Sequence, residues 1–207
     1  GRGKYQIKEG VGKKKALNKK QLKAIANYSD GNKFTEFYRD LWLFIYFCNG
    51  INVADLINLK FSDIQNGEIS FIREKTKDRT RDAKRIYAPI TPEMQSIIEK
   101  WGNNPRKSIY IFPFMKAGDD AWEHEKKKKN LTKHINDRMK VIGEKLNIGK
   151  ITTYVARHTY ATVLRNEGVP VSIISPMLGH TSVTTTEIYL ADLESENRAR
   201  NAHLLSF

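Results

Sequence analysis

The C-terminal third of the sequence holds side chains whose types suit chemistry at a phosphate group. Arg157 and His158 are adjacent, and Tyr189 lies nine residues after His180. A tyrosine hydroxyl can attack phosphorus and store the bond energy as a phosphotyrosine, and a planar guanidinium matches two phosphate oxygens at once. Transesterification of a phosphodiester needs both groups, together with an acid for the departing oxygen. We therefore predict that Arg157 stabilises phosphate charge during an attack by Tyr189.

The composition favours a partner that is rich in phosphate. The chain has 36 Lys and Arg against 23 Asp and Glu, which gives a formal net charge of +13. Such a balance is unusual for a metabolic enzyme and typical of proteins that bind the nucleic acid backbone. An anionic membrane would attract the same charge, but the longest apolar run, residues 41–48, is too short to span a bilayer. Nucleic acid is therefore the expected partner, and no membrane association is expected.

The cysteine content and the first residues bear on compartment and domain organisation. Cys48 is the single cysteine and lies in the apolar run, so we expect a buried thiol and a reducing, cytoplasmic environment. The opening GRGKYQIKEGVGKKK is basic and has no apolar segment of the kind found in signal peptides. We interpret residues 1–16 as a linker from a missing N-terminal domain and residues 17–207 as one domain.

Apolar periodicity predicts helices in the N-terminal part of the chain. Asn18, followed three residues later by Gln21, is a capping box for a helix over residues 18–28. Apolar residues then recur every three or four positions from Phe34 to Tyr46, which predicts a central buried helix ending at Asn49-Gly50. A short helix over residues 53–59 follows.

Between Gly67 and Ile90 the apolar period changes to two, which predicts a small antiparallel sheet. Residues 69, 71, 73 and 75 would share one face of a strand, and residues 85–88 would form the return strand. Strand geometry would separate Arg73 and Lys75 by roughly 7 Å.

Helical patterns dominate again after the sheet. A helix begins at Thr91-Pro92, and further helices are predicted near residues 130–146, 154–167, 171–178, 183–190 and 193–205. The predicted fold class is α+β, mainly α: a helical domain with one small antiparallel β-sheet.

Three motifs resemble the RHT, LGH and terminal tyrosine boxes of tyrosine recombinases and phage integrases. Arg157-His158-Thr159, Leu178-Gly179-His180 and Tyr189-Leu190 match in order and spacing, and the stretch from residue 43 to residue 75 is similar to the first half of the same domain. The resemblance covers nearly the whole chain. It implies the DNA breaking-rejoining fold, with residues 17–207 as the catalytic domain and the missing domain as a DNA-binding one.

The same resemblance implies a function and a set of roles. The enzyme would be a site-specific recombinase or integrase that cleaves and rejoins double-stranded DNA through a 3′-phosphotyrosine at Tyr189. Arg157 and His180 would hold the phosphate, and Lys75 would protonate the leaving 5′ hydroxyl, with no metal or cofactor. Monomers or weak oligomers would assemble as homotetramers on two DNA sites at the nucleoid, with accessory proteins allowed. The tail, residues 201–207, would dock on a neighbouring protomer or on its own core.

One position departs from the family in a way that affects the mechanism. Where the family motif T-G-x-R supplies a catalytic arginine, this chain has Asn52. Asp55 stands where the family has an acidic residue three positions later, which supports the alignment. Either the site is inactive or another cation substitutes, and Arg73 is the candidate because it precedes Lys75 by two residues. The pattern resembles integrases of Bacteroidetes-type mobile elements, which favours relocation of the arginine.

Further residues are expected to support the site or contact DNA. Tyr154 stands where the family has histidine; its hydroxyl can donate a hydrogen bond, but a phenol is a poorer proton shuttle than an imidazole at neutral pH. His158 would support the site from behind Arg157. The basic connection between the predicted strands would reach the DNA backbone or minor groove. Its four cations are Lys77, Arg79, Arg81 and Lys84.

Each of these side chains taken singly also has an ordinary structural interpretation. Tyr189 could be a half-buried helix tyrosine, His180 could cap a turn, and Arg73 could be an exposed strand residue. The joint spacing of Arg157, His180 and Tyr189 favours the functional interpretation. Two alternatives stay open: a catalytically impaired DNA-binding module of the same fold, and an enzyme like type IB topoisomerases, which relax DNA without pairing two sites.

Overall fold

The computed structural model describes residues 15–77, 84–180 and 182–190. Helices predominate, and one three-stranded antiparallel sheet with strand order β1-β2-β3 is inserted among them, which confirms the predicted α+β class. The helices are α1 Lys19–Ala26, α2 Lys33–Phe47, α3 Val53–Leu56, α4 Glu74–Lys77, α5 Pro92–Trp101, α6 Ala121–Lys145, α7 Thr153–Asn166, α8 Val171–Met177 and α9 Val183–Leu190. The strands are β1 Ile64–Gln65, β2 Glu68–Ile72 and β3 Arg85–Pro89.

The first two helices follow the sequence signals closely. The Asn18 side chain accepts a hydrogen bond from the Gln21 N–H at 2.8 Å, and the Gln21 side chain accepts one from the Asn18 N–H at 3.0 Å, so the predicted capping box is confirmed. Helix α2 is the buried centre of the domain, and Trp42 is fully buried within it. The Trp42 indole N–H donates to the Thr152 carbonyl at 2.8 Å and ties α2 to the start of α7.

The sheet has one strand more than the sequence pattern predicts. Asn66 and Gly67 both have positive φ, at 52° and 78°, and join β1 to β2 in a two-residue hairpin. Asn-Gly is the dipeptide that best tolerates two successive left-handed residues, which is why it favours such hairpins. Period-two counting missed β1 because the strand has only two residues.

The strand predicted to carry Arg73 and Lys75 ends earlier than expected. Strand β2 stops at Ile72, and Lys75 lies in the single helical turn α4, so the prediction that the two cations share a strand face is wrong. The Asp55 carboxylate accepts a hydrogen bond from the Glu74 N–H at 2.8 Å. This carboxylate accepts from a backbone N–H at the start of the helical turn, which stabilises the turn. Alternation of apolar and polar residues cannot reveal such a distant partner, so the pattern predicted a longer strand.

Helix α6 begins nine residues before the predicted residue 130, at Ala121. The Asp120 carboxylate caps it by accepting from the Glu123 N–H at 2.8 Å. The first turns carry few apolar residues, so their pattern gave no signal, but ion pairs of Glu125 with Lys128 and Lys129 support them.

Among the residues that the structure describes, buried apolar side chains form two clusters. The larger surrounds α2 and includes the fully buried Phe44 and Leu56. The smaller joins α7, α8 and α9 through four buried residues, which are Ala161, Ile174, Leu178 and Leu190. The predicted burial of Cys48 is confirmed, and burial raises the pKa of its thiol. None of the helices in the described ranges combines the length and apolar character needed to cross a bilayer.

Candidate active site

The guanidinium of Arg157 is the point at which three segments meet. Arg157 lies on α7 and is only 7% exposed. Its Nη1 donates to the Gly50 carbonyl at 2.8 Å, and its Nη2 donates to the Leu178 carbonyl. The same Nη2 lies 3.3 Å from His180 Nε2. A buried guanidinium needs such acceptors, and here they fix it between the turn after α2 and the turn after α8.

The Asn49-Gly50 turn fits closely around this arginine. Gly50 has φ +63°, and an added Cβ would lie 2.7 Å from Arg157 Cα. The Asn49 side chain accepts from the Tyr160 hydroxyl at 2.8 Å and donates to the Tyr87 carbonyl at 2.9 Å. The turn therefore connects α7 with β3. The sequence pattern predicts a helix end here, in the stretch that aligns with the family motif T-G-x-R, but not these contacts, because nothing local reveals the distant partners.

The surroundings of His180 favour its neutral form. Its Nδ1 lies 2.8 Å from the Thr186 hydroxyl. Burial lowers the pKa of His180 to about 4, and the charges of Arg157 and Arg73 act in the same direction. A neutral imidazole carries one N–H donor and one nitrogen acceptor, so its proton position depends on these neighbours.

Arg73 lies against the same turn, although it is not part of a strand. Its Nη1 donates to the Gly179 carbonyl at 3.1 Å. Gly179 has φ +65°, and a Cβ there would come within 2.6 Å of Arg73 Cδ. Because a side chain at position 179 would displace Arg73, the glycine allows the second arginine to approach His180.

Asn52, at the position where a family arginine is expected, lines the same cavity as Arg73. A cavity of about 690 Å³ is lined by Asn52, Asp55, Arg73 and Lys75, among other residues. Asp55 is 5% exposed; burial raises the pKa of its carboxyl, while the Glu74 N–H and the Arg73 charge oppose that shift. Lys75 is exposed at the edge of this cavity. The structure therefore brings Arg157, His180, Arg73 and Asp55 together, with Lys75 beside them.

The remaining predicted site residues differ in how far the structure describes them. Tyr189 lies in α9, the helix that follows His180, but its side chain is outside the description. Tyr154 is 53% exposed on the first turn of α7, and His158 is 1% exposed inside the domain. His158 therefore cannot contact a ligand at the surface, and its supporting role stays a prediction.

The predicted DNA contacts fall mainly beyond the described residues. Arg79 and Arg81 lie in residues 78–83, outside the description, and for Lys77 only the backbone is described. Lys84 is exposed just before β3. Within the described ranges, no group of three or more His, Cys, Asp and Glu side chains is placed to hold a metal ion.

Comparison with known proteins gives a consistent set of relatives. Residues 15–196 match the phage integrase family. The chain is 28% identical over 180 residues to tyrosine recombinase XerA of Pyrococcus furiosus, covering 84% of this chain and 56% of that protein. It is 26% identical over 172 residues to tyrosine recombinase XerC of Chlamydia caviae, covering 82% and 52%. The chain thus spans about half the length of the curated relatives it matches.

Similarity of fold extends to solved structures. The post-cleavage complex of the XerH site-specific recombinase bound to palindromic difH substrate aligns with a TM-score of 0.64 and 17% identity, covering 93% of this chain and 53% of that one. The predicted breaking-rejoining fold is thereby confirmed. The finer resemblance to Bacteroidetes-type elements stays a prediction.

The first prediction concerns the contact of Gly50 with Arg157. Gly50→Ala should lower the free energy of unfolding by roughly 2 to 5 kcal/mol, because it adds a strained left-handed alanine and a clash with the α7 backbone. Gly31→Ala is the matched control: Gly31 has φ +73° but nothing within 4 Å of an added Cβ. The control should lose only about 1 to 2 kcal/mol. Equal losses in urea unfolding would contradict the close fit at Gly50.

The second prediction follows from the lowered pKa of His180. The unfolded chain binds a proton at this histidine below about pH 6.5, whereas the folded chain binds it only near pH 4. Stability contributed by the neutral histidine is therefore present above pH 6.5 and is lost as the pH falls toward 4. Urea unfolding at several pH values should show wild type losing stability relative to His180→Asn over this range. A constant difference between the two proteins would contradict a lowered pKa.

Proposed function

Because the chain belongs to the phage integrase family, we propose that it carries the catalytic site of a tyrosine recombinase that cleaves and rejoins double-stranded DNA. The observation that carries the proposal is the convergence of two arginines on one histidine. Arg157 Nη2 lies 3.3 Å from His180 Nε2, and Arg73 donates to the carbonyl of the preceding Gly179. The helix that follows this histidine carries Tyr189.

The proposed reaction uses Tyr189 as the nucleophile. Its phenolic oxygen releases its proton to water and forms a bond to phosphorus as the bond to the 5′ oxygen breaks, which leaves a 3′-phosphotyrosine and a 5′ oxygen that takes up a proton to become a hydroxyl. Attack by the 5′ hydroxyl of another strand reverses the step and completes strand exchange. A covalent intermediate of this kind conserves the energy of the phosphodiester bond.

The proposed phosphate pocket is formed by Arg157, His180 and Arg73. Guanidinium groups carry fixed positive charge and several N–H donors, so they stabilise negative charge that develops on nonbridging oxygens. Arg73 would supply the charge that Asn52 cannot, and the shared cavity supports this substitution. Lys75, exposed on α4 beside that cavity, would give a proton to the departing 5′ oxygen.

Two observations support DNA as the partner: the formal net charge of +13, and the similarity of fold to XerH, whose structure is bound to a difH substrate. The basic residues Lys77, Arg79, Arg81 and Lys84 would contact the DNA backbone beside the cleavage point. Recombination would involve a homotetramer on two DNA sites, formed from monomers or weak oligomers.

Covalent trapping tests the proposed reaction directly. A duplex nicked just beyond the cleavage point loses its 5′ hydroxyl fragment, so the protein should accumulate as a DNA adduct that denaturing electrophoresis detects. Tyr189→Phe should abolish the adduct while DNA affinity is retained. DNA binding without an adduct in the wild type would point to a catalytically impaired module, and relaxation of supercoiled DNA without recombinants would point to topoisomerase-like activity.

The role of Arg73 has its own test. Arg73→Ala and Arg157→Ala should each slow adduct formation at saturating DNA by roughly a hundredfold to a thousandfold, as expected for loss of one charge-stabilising donor. Arg85→Ala is the control, because it removes the same charge from the neighbouring strand, where Arg85 donates to Ser70. Near-normal cleavage by Arg73→Ala would exclude Arg73 as the replacement for the missing arginine.

A further inference from the structure

Thr186 is a buried hydroxyl beside the histidine of the proposed site. It lies on α9, is fully buried, and places its Oγ1 2.8 Å from His180 Nδ1. The two neighbouring threonines of the same helix, Thr184 and Thr185, are exposed. Burial of one threonine out of three, against an imidazole nitrogen, indicates a specific contact.

The neighbours of His180 determine which of its nitrogens carries the proton. Arg157 Nη2 lies 3.3 Å from Nε2, and a guanidinium can only donate, so Nε2 accepts this contact. In a neutral imidazole the proton is then on Nδ1, which donates to the Thr186 hydroxyl. In this form His180 has no proton on Nε2 to offer a phosphate oxygen.

A hydroxyl can reverse the direction of this hydrogen bond. When a phosphate takes the place of His180 Nε2 as the partner of Arg157 Nη2, one proton can leave Nδ1 to water and one can bind at Nε2, with no change in net charge. The Thr186 O–H then donates to Nδ1, because a hydroxyl is both donor and acceptor. We propose that Thr186 is a positioning residue that holds His180 in either tautomer and so lets Nε2 donate to the scissile phosphate. This inference rests on the proposed recombinase function.

The same contact links His180 to the helix of the proposed nucleophile. Thr186 and Leu190 are four residues apart on one face of α9, and both are buried. Leu190 packs in the smaller apolar cluster, and the Ser175 hydroxyl donates to the Ser182 carbonyl at 3.3 Å just before the helix. Packing of α9 therefore determines two things at once: the contact of Thr186 with His180 and the backbone position of Tyr189.

The first test observes the tautomer and needs no catalysis. ¹⁵N NMR of the histidine-labelled chain should find the His180 proton on Nδ1 in the free protein. In the Tyr189→Phe chain bound to an intact DNA site, the proton should move to Nε2. Thr186→Val should lower the fraction of Nδ1–H, because Arg157 still contacts Nε2 but the buried Nδ1–H has lost its acceptor. Thr186→Ser and the exposed-position control Thr185→Val should keep the wild-type fraction. A fraction in Thr186→Val equal to that of wild type, both free and bound to DNA, would overturn the proposal.

The second test measures adduct formation at saturating DNA. Thr186→Val should slow it roughly tenfold, as expected for one lost hydrogen bond, while DNA affinity stays unchanged. Thr186→Ser and Thr185→Val should react at close to the wild-type rate. A wild-type rate in Thr186→Val, or an equal loss in Thr186→Ser, would overturn the proposal.

Two further outcomes remain decisive. If circular dichroism finds that Thr186→Val does not fold, Thr186→Ala replaces it as the variant without a hydroxyl, with the same expected results. If the wild type forms no adduct on any DNA, the proposed recombinase function fails, and the tautomer of the free protein alone decides whether Thr186 directs the His180 proton.

Discussion

The buried guanidinium of Arg157 is the constraint on which the rest of the site depends. A charge removed from water in this way must be surrounded by acceptors, and the carbonyls of Gly50 and Leu178 supply them. Those carbonyls belong to the turns that follow α2 and α8. The hydrogen bonds of this one side chain therefore fix the positions of both turns relative to α7. The left-handed Gly50 permits the approach, and His180 is brought to the same guanidinium as a consequence.

The second arginine reaches this centre by a different route. Strand β2 ends at Ile72, and the chain turns at Arg73 into the helical turn that Asp55 caps. The turn leaves Arg73 against Gly179, where its charge affects both His180 and Asp55. A pocket with two cations and a neutral histidine can stabilise a phosphate that gains charge, even though Asn52 lies where the family resemblance predicts an arginine. Thr186 extends the same network to α9.

Sequence reasoning predicted the helical class and the capping box at Asn18, because these depend on local caps and apolar period. It was wrong about the strand through Lys75 and the start of α6, and it missed β1. Asp55, a distant partner, caps α4, and ion pairs on a polar surface support the early turns of α6. Strand β1 has only two residues and is too short to show an apolar period. The contacts of Asn49 and Thr186 could not be predicted, since both involve residues brought together only by the fold.

The central claim is that Arg73 and Arg157 neutralise the same scissile phosphate, and a charge-neutral substrate tests it most directly. A methylphosphonate at the cleavage point replaces one nonbridging oxygen with a methyl group and removes the negative charge. Wild type and Arg73→Ala should then form the tyrosine adduct at similar rates on the neutral junction, although Arg73→Ala is roughly a hundredfold or more slower on the natural phosphate. An equal defect of Arg73→Ala on both substrates would contradict the claim.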